Sequence, residues 1–151
     1  MDIVEKAINL ALEGKIREAE KKLDVLISRR RDDPRVWFLK GLIERNKGRN
    51  EEALKALNRA TELRSDFAEA WILKGFILRD LRMYDDALRA LNKAYNIELE
   101  EDDYEDYELL IEMAHIYVLM GQINKAIELL NKAQEINPED ENLKKLLKSI
   151  Q

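Results

Sequence analysis

Apolar residues recur every three or four positions along most of the chain, as in Leu54, Leu57, Ala60 and Leu63. This spacing predicts amphipathic helices that each bury one face and expose the other. Short polar turns separate the helices. Three of the turns contain a glycine, which suits the left-handed backbone conformation that often ends a helix; these are Gly14, Gly48 and Gly121. The pattern therefore predicts pairs of antiparallel helices.

The helix pairs repeat along the chain. Alanines that are separated by 34, 34 and 39 residues mark the same place in each pair, and each is followed four positions later by a leucine; they are Ala19, Ala53, Ala87 and Ala126. Trp37 and Trp71 are also 34 residues apart, as are Gly41 and Gly75. Small residues at fixed places allow two helix backbones to approach closely. A period of this length is typical of a solenoid of helical repeats.

The segment from Trp37 to Gly41, followed by Ala53, Leu57 and Ala60, resembles a tetratricopeptide (TPR) repeat, and the segment from Trp71 resembles it again. The resemblance implies an all-α, right-handed superhelical solenoid of four helix-turn-helix repeats. We place a single domain over residues 1–151, with repeats at 2–33, 34–67, 68–106 and 107–137.

A further helix is predicted after the fourth repeat. Asn137 is a favourable N-cap residue and Pro138 a favourable first helical residue, so we expect a helix over 138–150. Its apolar stripe would cover the last repeat as a capping helix. The alternative is a helix that docks on a second chain.

The composition agrees with one domain of solvated helices, because 46% of the residues are hydrophobic and 38% are charged. The absence of cysteine excludes disulfides and thiol chemistry. The N-terminal residues include acids, and no run of eighteen apolar residues occurs, so we expect a cytoplasmic protein without a membrane segment.

Candidate catalytic and metal-binding residues are few. His115 is the only histidine, and it has no cysteine or second histidine to complete a metal site. No glycine-rich phosphate loop or nucleophile motif occurs. We therefore predict that the chain is not an enzyme and that it uses no cofactor and no metal.

Two charged runs have alternative interpretations. Residues 98–108 contain eight acids and no base, which predicts a longer, solvated loop between repeats three and four; binding of a basic partner is the alternative. The run Arg29-Arg30-Arg31 ends a helix, where cations are favoured, and phosphate binding is its alternative. Because the net charge is −5, we expect no nucleic-acid partner.

The family resemblance also implies a concave groove lined by the first helix of each repeat. When the repeats are superposed, the groove positions form an apolar stripe with two arginines at its edge. The predicted groove residues are Val4, Ile8, Phe38, Leu42, Arg45, Ile72, Phe76, Arg79, Ile111 and His115.

We predict a non-catalytic scaffold that binds an apolar or amphipathic segment of a partner protein in this groove. Two alternatives stay open. The same apolar face could join copies of the chain into a homodimer or larger homo-oligomer, and, more remotely, the chain could be a nucleic-acid-associated adaptor. The carboxylate clamp that some TPR proteins use is not expected, because its positions hold Val4, Ile8, Leu39, Glu69 and Leu73.

Overall fold

Helices supply the regular structure of the computed structural model, which describes residues 1–103 and 105–151. Within those ranges there are nine α-helices and no strand. The helices are α1 (Ile3–Leu12), α2 (Ile16–Arg29), α3 (Pro34–Asn46), α4 (Asn50–Leu63), α5 (Ala68–Asp80), α6 (Tyr84–Asp102), α7 (Tyr107–Leu119), α8 (Ile123–Ile136) and α9 (Glu141–Ile150). The predicted all-α class is confirmed.

The helices pack as successive hairpins, α1 with α2, α3 with α4, α5 with α6 and α7 with α8. The first helix of each later hairpin also packs on the second helix of the hairpin before it, and α9 packs on α8. Each hairpin thus completes its core only against its neighbours, which is the architecture of a solenoid.

Close approach within each hairpin depends on small residues. Ala53 and Ala87, near the starts of α4 and α6, have no exposed surface. A Cβ atom placed on Gly75 would lie 2.6 Å from Cδ2 of Leu91. Large side chains from one helix therefore fill the space that alanine and glycine leave on the other.

Aspartate side chains begin several helices. The carboxylate of Asp2 accepts a hydrogen bond from the backbone N–H of Glu5 at 2.9 Å, and Asp106 accepts one from Leu109 at 3.2 Å. Such caps satisfy N–H groups that have no partner inside the helix.

The last helix begins later than the sequence pattern predicts. The N-cap of α9 is Asp140, whose carboxylate accepts from the N–H of Leu143 at 3.1 Å, and the helix begins at Glu141. Asn137 instead ends α8, and Pro138 lies in the turn between the helices. The prediction of a helix from residue 138 with Asn137 as its cap was therefore wrong, because an aspartate three residues further along supplies the cap.

The acidic segment is mostly helical, although a loop was predicted for it. Helix α6 has 19 residues and continues to Asp102, while α4 and α8 have 14 each. The part of α6 beyond the fourteenth residue, Ile97, contains Leu99, which packs against the core cluster that α6 forms with α7 and α8. No glycine or proline interrupts this stretch, and the packing of Leu99 favours continuation of the helix. Tyr104 lies outside the described residues.

The turns between paired helices share one backbone conformation. Gly14, Gly48 and Gly121 have positive φ angles of 83°, 77° and 77°. In the third hairpin this place is held by Arg82, with a φ of 62°. The left-handed conformation is unfavourable for a residue with a Cβ atom, so this turn keeps its shape at a cost in stability.

Replacing Arg82 by glycine is expected to raise the free energy of unfolding by up to about 1 kcal/mol, because glycine adopts a positive φ without steric strain. Urea denaturation of wild type and Arg82→Gly measures the difference. Arg82→Ala is the control, since it removes the same side chain but keeps the Cβ atom. Equal stabilisation by both variants would mean that the arginine side chain, and not the backbone angle, is unfavourable.

No helix within residues 1–103 and 105–151 has both the length and the apolar character needed to cross a membrane.

Candidate protein-binding site

Two of the predicted groove residues belong to the core. Val4 has no exposed surface, and Phe38 is only 8% exposed. The ring of Phe38 packs against the ring of Phe67, with 5.2 Å between the centroids. The placement of these two residues in an accessible groove is therefore corrected, since neighbouring helices cover both side chains.

The other apolar residues of the predicted groove stay partly exposed. Clusters of buried apolar residues lie at the N-terminal end, in the middle and at the C-terminal end of the solenoid. Ile8 and Leu42 each pack against the N-terminal and the middle cluster, while Ile72, Phe76 and Ile111 pack against the C-terminal one. His115 is exposed on α7. We call the surface formed by these residues, together with Arg45 and Arg79, the first-helix face.

Phe76 brings the two predicted arginines together. The guanidinium carbon of Arg79 lies 5.2 Å from the centroid of the Phe76 ring, and that of Arg45 lies 6.0 Å from it. A cation held near an aromatic face is attracted by the negative charge of the ring face. The arrangement places the aromatic ring between charges contributed by α3 and α5.

Both arginines also contact carboxylates that the sequence analysis did not include in the site. Arg79 pairs with Glu112 of α7 at 2.8 Å and with Asp80 at 3.2 Å. Arg45 reaches the second oxygen of Asp80 at 3.7 Å. The edge of the first-helix face therefore alternates in charge from α3 to α7.

The sequence contains an indication that Glu112 forms an ion pair. It occupies the position in α7 that leucine holds in α3 and α5, at Leu39 and Leu73. A charge at a place where the other central repeats bury leucine indicates a polar partner on a neighbouring helix. Here that partner is Arg79, which lies one repeat earlier.

A second group of charges lies where α6 meets α7. One carboxylate oxygen of Glu98 is buried and has no hydrogen-bond partner within the described residues. Burial first, and then the nearby carboxylates of Asp106, Glu69 and Asp102, together raise the pKa of Glu98 to about 7. Glu98 thus titrates near neutral pH.

Glu98→Gln is expected to stabilise the protein near pH 8 by about 1–2 kcal/mol, after allowance for solvent screening, and to have little effect near pH 4. The folded state binds the Glu98 proton more tightly than the unfolded chain, whose pKa is 4.5. Stability from this group therefore falls as pH rises from about 4.5 to about 7. Urea denaturation at both pH values measures the effect, with Glu100→Gln as an exposed control on the same helix. A gain that is independent of pH would contradict this explanation.

Among the residues that the structure describes, no group of three or more histidine, aspartate or glutamate side chains is arranged to hold a metal ion.

Comparisons with known proteins agree with this architecture. Residues 41–81 match a family model described as TPR repeat, and residues 78–150 match a second, described as tetratricopeptide repeat. No curated protein sequence gives a significant match.

Several solved structures have a similar fold. A chain of the APC/C hetero-tetramer Cut9–Hcn1 superposes with a TM-score of 0.85 at 22% identity over 98% of this chain, which spans only 29% of that longer chain. PilF from Pseudomonas aeruginosa gives 0.83 at 13% identity, with 98% of this chain and 65% of that one covered. MamA gives 0.80 at 19% identity, with 99% and 83% covered. The family matches, the repeat period and the paired helices together show that this chain belongs to the tetratricopeptide repeat family.

Proposed function

We propose that the chain is a non-catalytic scaffold that binds an apolar or amphipathic segment of a partner protein on its first-helix face. TPR proteins generally act as scaffolds for protein–protein interaction. The observation that carries the proposal is the row of partly exposed apolar side chains from α1 to α7, centred on Phe76 and its two arginines.

Phe76 is suited to be the anchor of such an interaction. Its ring is partly buried and is held in place by Arg45 and Arg79, so little side-chain freedom would be lost on binding. Aromatic side chains and arginine are enriched among residues that dominate binding energies. A partner side chain that covers the ring would bury apolar area at about 25 cal/mol per Å².

The charges beside Phe76 indicate what the partner segment should carry. Arg45 and Arg79 are already paired with Asp80 and Glu112, so the edge offers both signs of charge instead of a purely basic border. An amphipathic segment with both acidic and basic residues beside its apolar stripe would complement it, whereas a strongly charged segment of one sign would not.

The test begins with recovery of partners from the source lysate, using wild-type chain and Phe76→Ser as baits. Titration calorimetry with the recovered partner then compares the two proteins, and Val25→Ser serves as the control because Val25 is an exposed apolar residue on α2. We expect Phe76→Ser to weaken binding by at least about tenfold and Val25→Ser to leave it unchanged. Equal binding of the partner by the wild type and both variants would contradict the proposal.

Self-association through the same face is the competing outcome. In that case light scattering of the purified wild-type chain would give a multiple of the monomer mass, and Phe76→Ser would return it to the monomer. A wild-type monomer at high concentration would remove this alternative.

A further inference from the structure

A cavity of about 560 Å³ lies on the other side of α5 from the first-helix face. Its apolar lining comes from Leu54 of α4, from Trp71 and Leu78 of α5, and from Ala90 of α6 and the residue before that helix, Met83. We call it the outer pocket. Its volume lies within the range of roughly 300–1,000 Å³ that is usual for ligand sites.

The two surfaces use different faces of α5. Trp71, Lys74 and Leu78 recur at intervals of three and four and line the outer pocket. Successive residues of a helix point about 100° apart around its axis. Ile72 and Phe76 therefore point away from the direction of Trp71, Lys74 and Leu78. A ligand could therefore occupy the outer pocket without displacing one on the first-helix face.

Cations outnumber carboxylates around the outer pocket. Lys74, Arg89 and Lys93 line it together with a single acid, Asp86, which is paired with Arg89. Within residues 1–103 and 105–151, neither Lys74 nor Lys93 has a carboxylate at ion-pair distance. Two ammonium groups are thus available to a ligand.

Lys74 is held at the pocket by its neighbours. Its ammonium lies 5.0 Å from the centroid of the Trp71 ring, and the indole N–H donates to the carbonyl of Ser65 at 2.9 Å. Burial lowers the pKa of Lys74 and outweighs the opposing effect of the carboxylates of Asp86 and Glu62. A partly desolvated ammonium gains more from an incoming carboxylate than a fully hydrated one does.

The same place one repeat earlier provides an internal comparison. Trp37 and Lys40 keep the tryptophan–lysine contact there, at 5.6 Å. However, Glu20, Asp24 and Glu44 stand where the outer pocket has Leu54, Asn58 and Leu78. Two of these acids are already paired, Glu20 with Lys47 at 3.0 Å and Glu44 with Arg49 at 3.7 Å. The outer pocket thus has none of these three carboxylates, and two of the three positions are leucines that form its apolar floor.

The equivalent place one repeat later differs in another way. Tyr117 stands where the outer pocket has Leu78, and Glu128 stands where it has Arg89. The cavity there measures about 250 Å³. An open apolar floor with an excess of positive charge is thus a property of the place between α4 and α6.

We propose that the outer pocket is a second binding site, which takes an acidic peptide segment that inserts an apolar side chain against Trp71 and Leu54 and sets its carboxylates beside Lys74 and Lys93. The excess of positive charge favours a ligand with acidic residues, and the apolar floor favours one that inserts an apolar side chain. This site goes beyond the scaffold function of the first-helix face.

Calorimetry with a capped synthetic peptide, in which two leucines are flanked by glutamates, tests the proposal. A peptide with lysines in place of the glutamates is the control ligand. We expect the wild-type chain to bind the acidic peptide at least about tenfold more tightly than the basic one, and the difference to shrink in high salt. Absence of binding by the acidic peptide, or equal binding of the two peptides, would overturn the proposal.

Variants locate the binding. Lys74→Met with Lys93→Gln should weaken binding of the acidic peptide by about tenfold, whereas Lys40→Met with Arg59→Gln, at the equivalent places one repeat earlier, should change it less than about twofold. Equal losses in the two double variants would show that only net charge matters and would overturn the proposal.

A second double variant changes the floor of the outer pocket instead of its cations. Leu54→Glu with Asn58→Asp introduces the acids that the chain already carries one repeat earlier, at Glu20 and Asp24. We expect this variant to lose at least about tenfold in affinity for the acidic peptide. Phe76→Ser should bind the peptide as the wild type does, and a loss in that variant would assign the peptide to the first-helix face and overturn the proposal.

Discussion

Phe38→Ala is expected to lower the free energy of unfolding by about 3–5 kcal/mol, because it removes a large buried ring and leaves a cavity beside Phe67. Urea denaturation measures the loss. Phe76→Ala is the matched comparison, since it removes the same ring from the adjacent repeat at a partly exposed position. We expect a clearly smaller loss there, of about 1–2 kcal/mol.

The difference between the two phenylalanines decides which of them is available to a partner. A loss below about 1 kcal/mol in Phe38→Ala would mean that this ring is not part of the core. Equal large losses in both variants would mean that Phe76 is also a core residue, and the first-helix face would lose its anchor.

Ala87→Leu is expected to destabilise the protein by about 1–3 kcal/mol, because added methylene groups have no space where α5 and α6 meet. Ala87 has no exposed surface, and its carbonyl oxygen lies 3.4 Å from the place where a Cβ atom of Gly75 would be. Asn92→Leu adds a leucine to the exposed side of the same helix and should change stability by less than about 0.5 kcal/mol. Thermal denaturation compares the two, and an equally stable Ala87→Leu variant would contradict the close packing of this hairpin.

The repeat period determines much of the fold, because a hairpin with small residues at fixed places can bury its apolar faces only by stacking on its neighbours. The length of α6 could not be inferred in the same way. An acidic stretch suits a solvated loop as well as an exposed helix, and the core against which Leu99 of the extension packs is formed in part by α7. The start of α9 was misplaced for a similar reason, because Asp140 and Asn137 are both good caps and local sequence does not decide between them.

The sequence predicts which helix face forms the candidate site, but it does not predict how deeply each side chain on that face is buried. Superposed repeats give the same face of each first helix, yet Phe38 is covered by Phe67 while Ile72, at the equivalent place, is only partly buried. The ion pairs of Arg79 depend on how far a side chain reaches across to α7, which periodicity does not describe. The sequence indicates the outer pocket only when equivalent positions of successive repeats are compared, because acids of one repeat are then seen to be replaced by uncharged residues in the next.

Site-specific photo-crosslinking tests the central claim most directly. Benzoyl-phenylalanine is introduced in place of Phe76 on the first-helix face, in place of Met83 beside the outer pocket, or in place of Val25 on α2, and each protein is irradiated with the partner recovered from the source lysate. Met83 and Val25 are exposed and Phe76 is partly exposed, so a probe at each position can reach a bound protein that lies near it. The scaffold proposal predicts that the partner's apolar segment is crosslinked from position 76 and not from position 25. Crosslinking of that segment from position 25 or 83, with none from position 76, would contradict it.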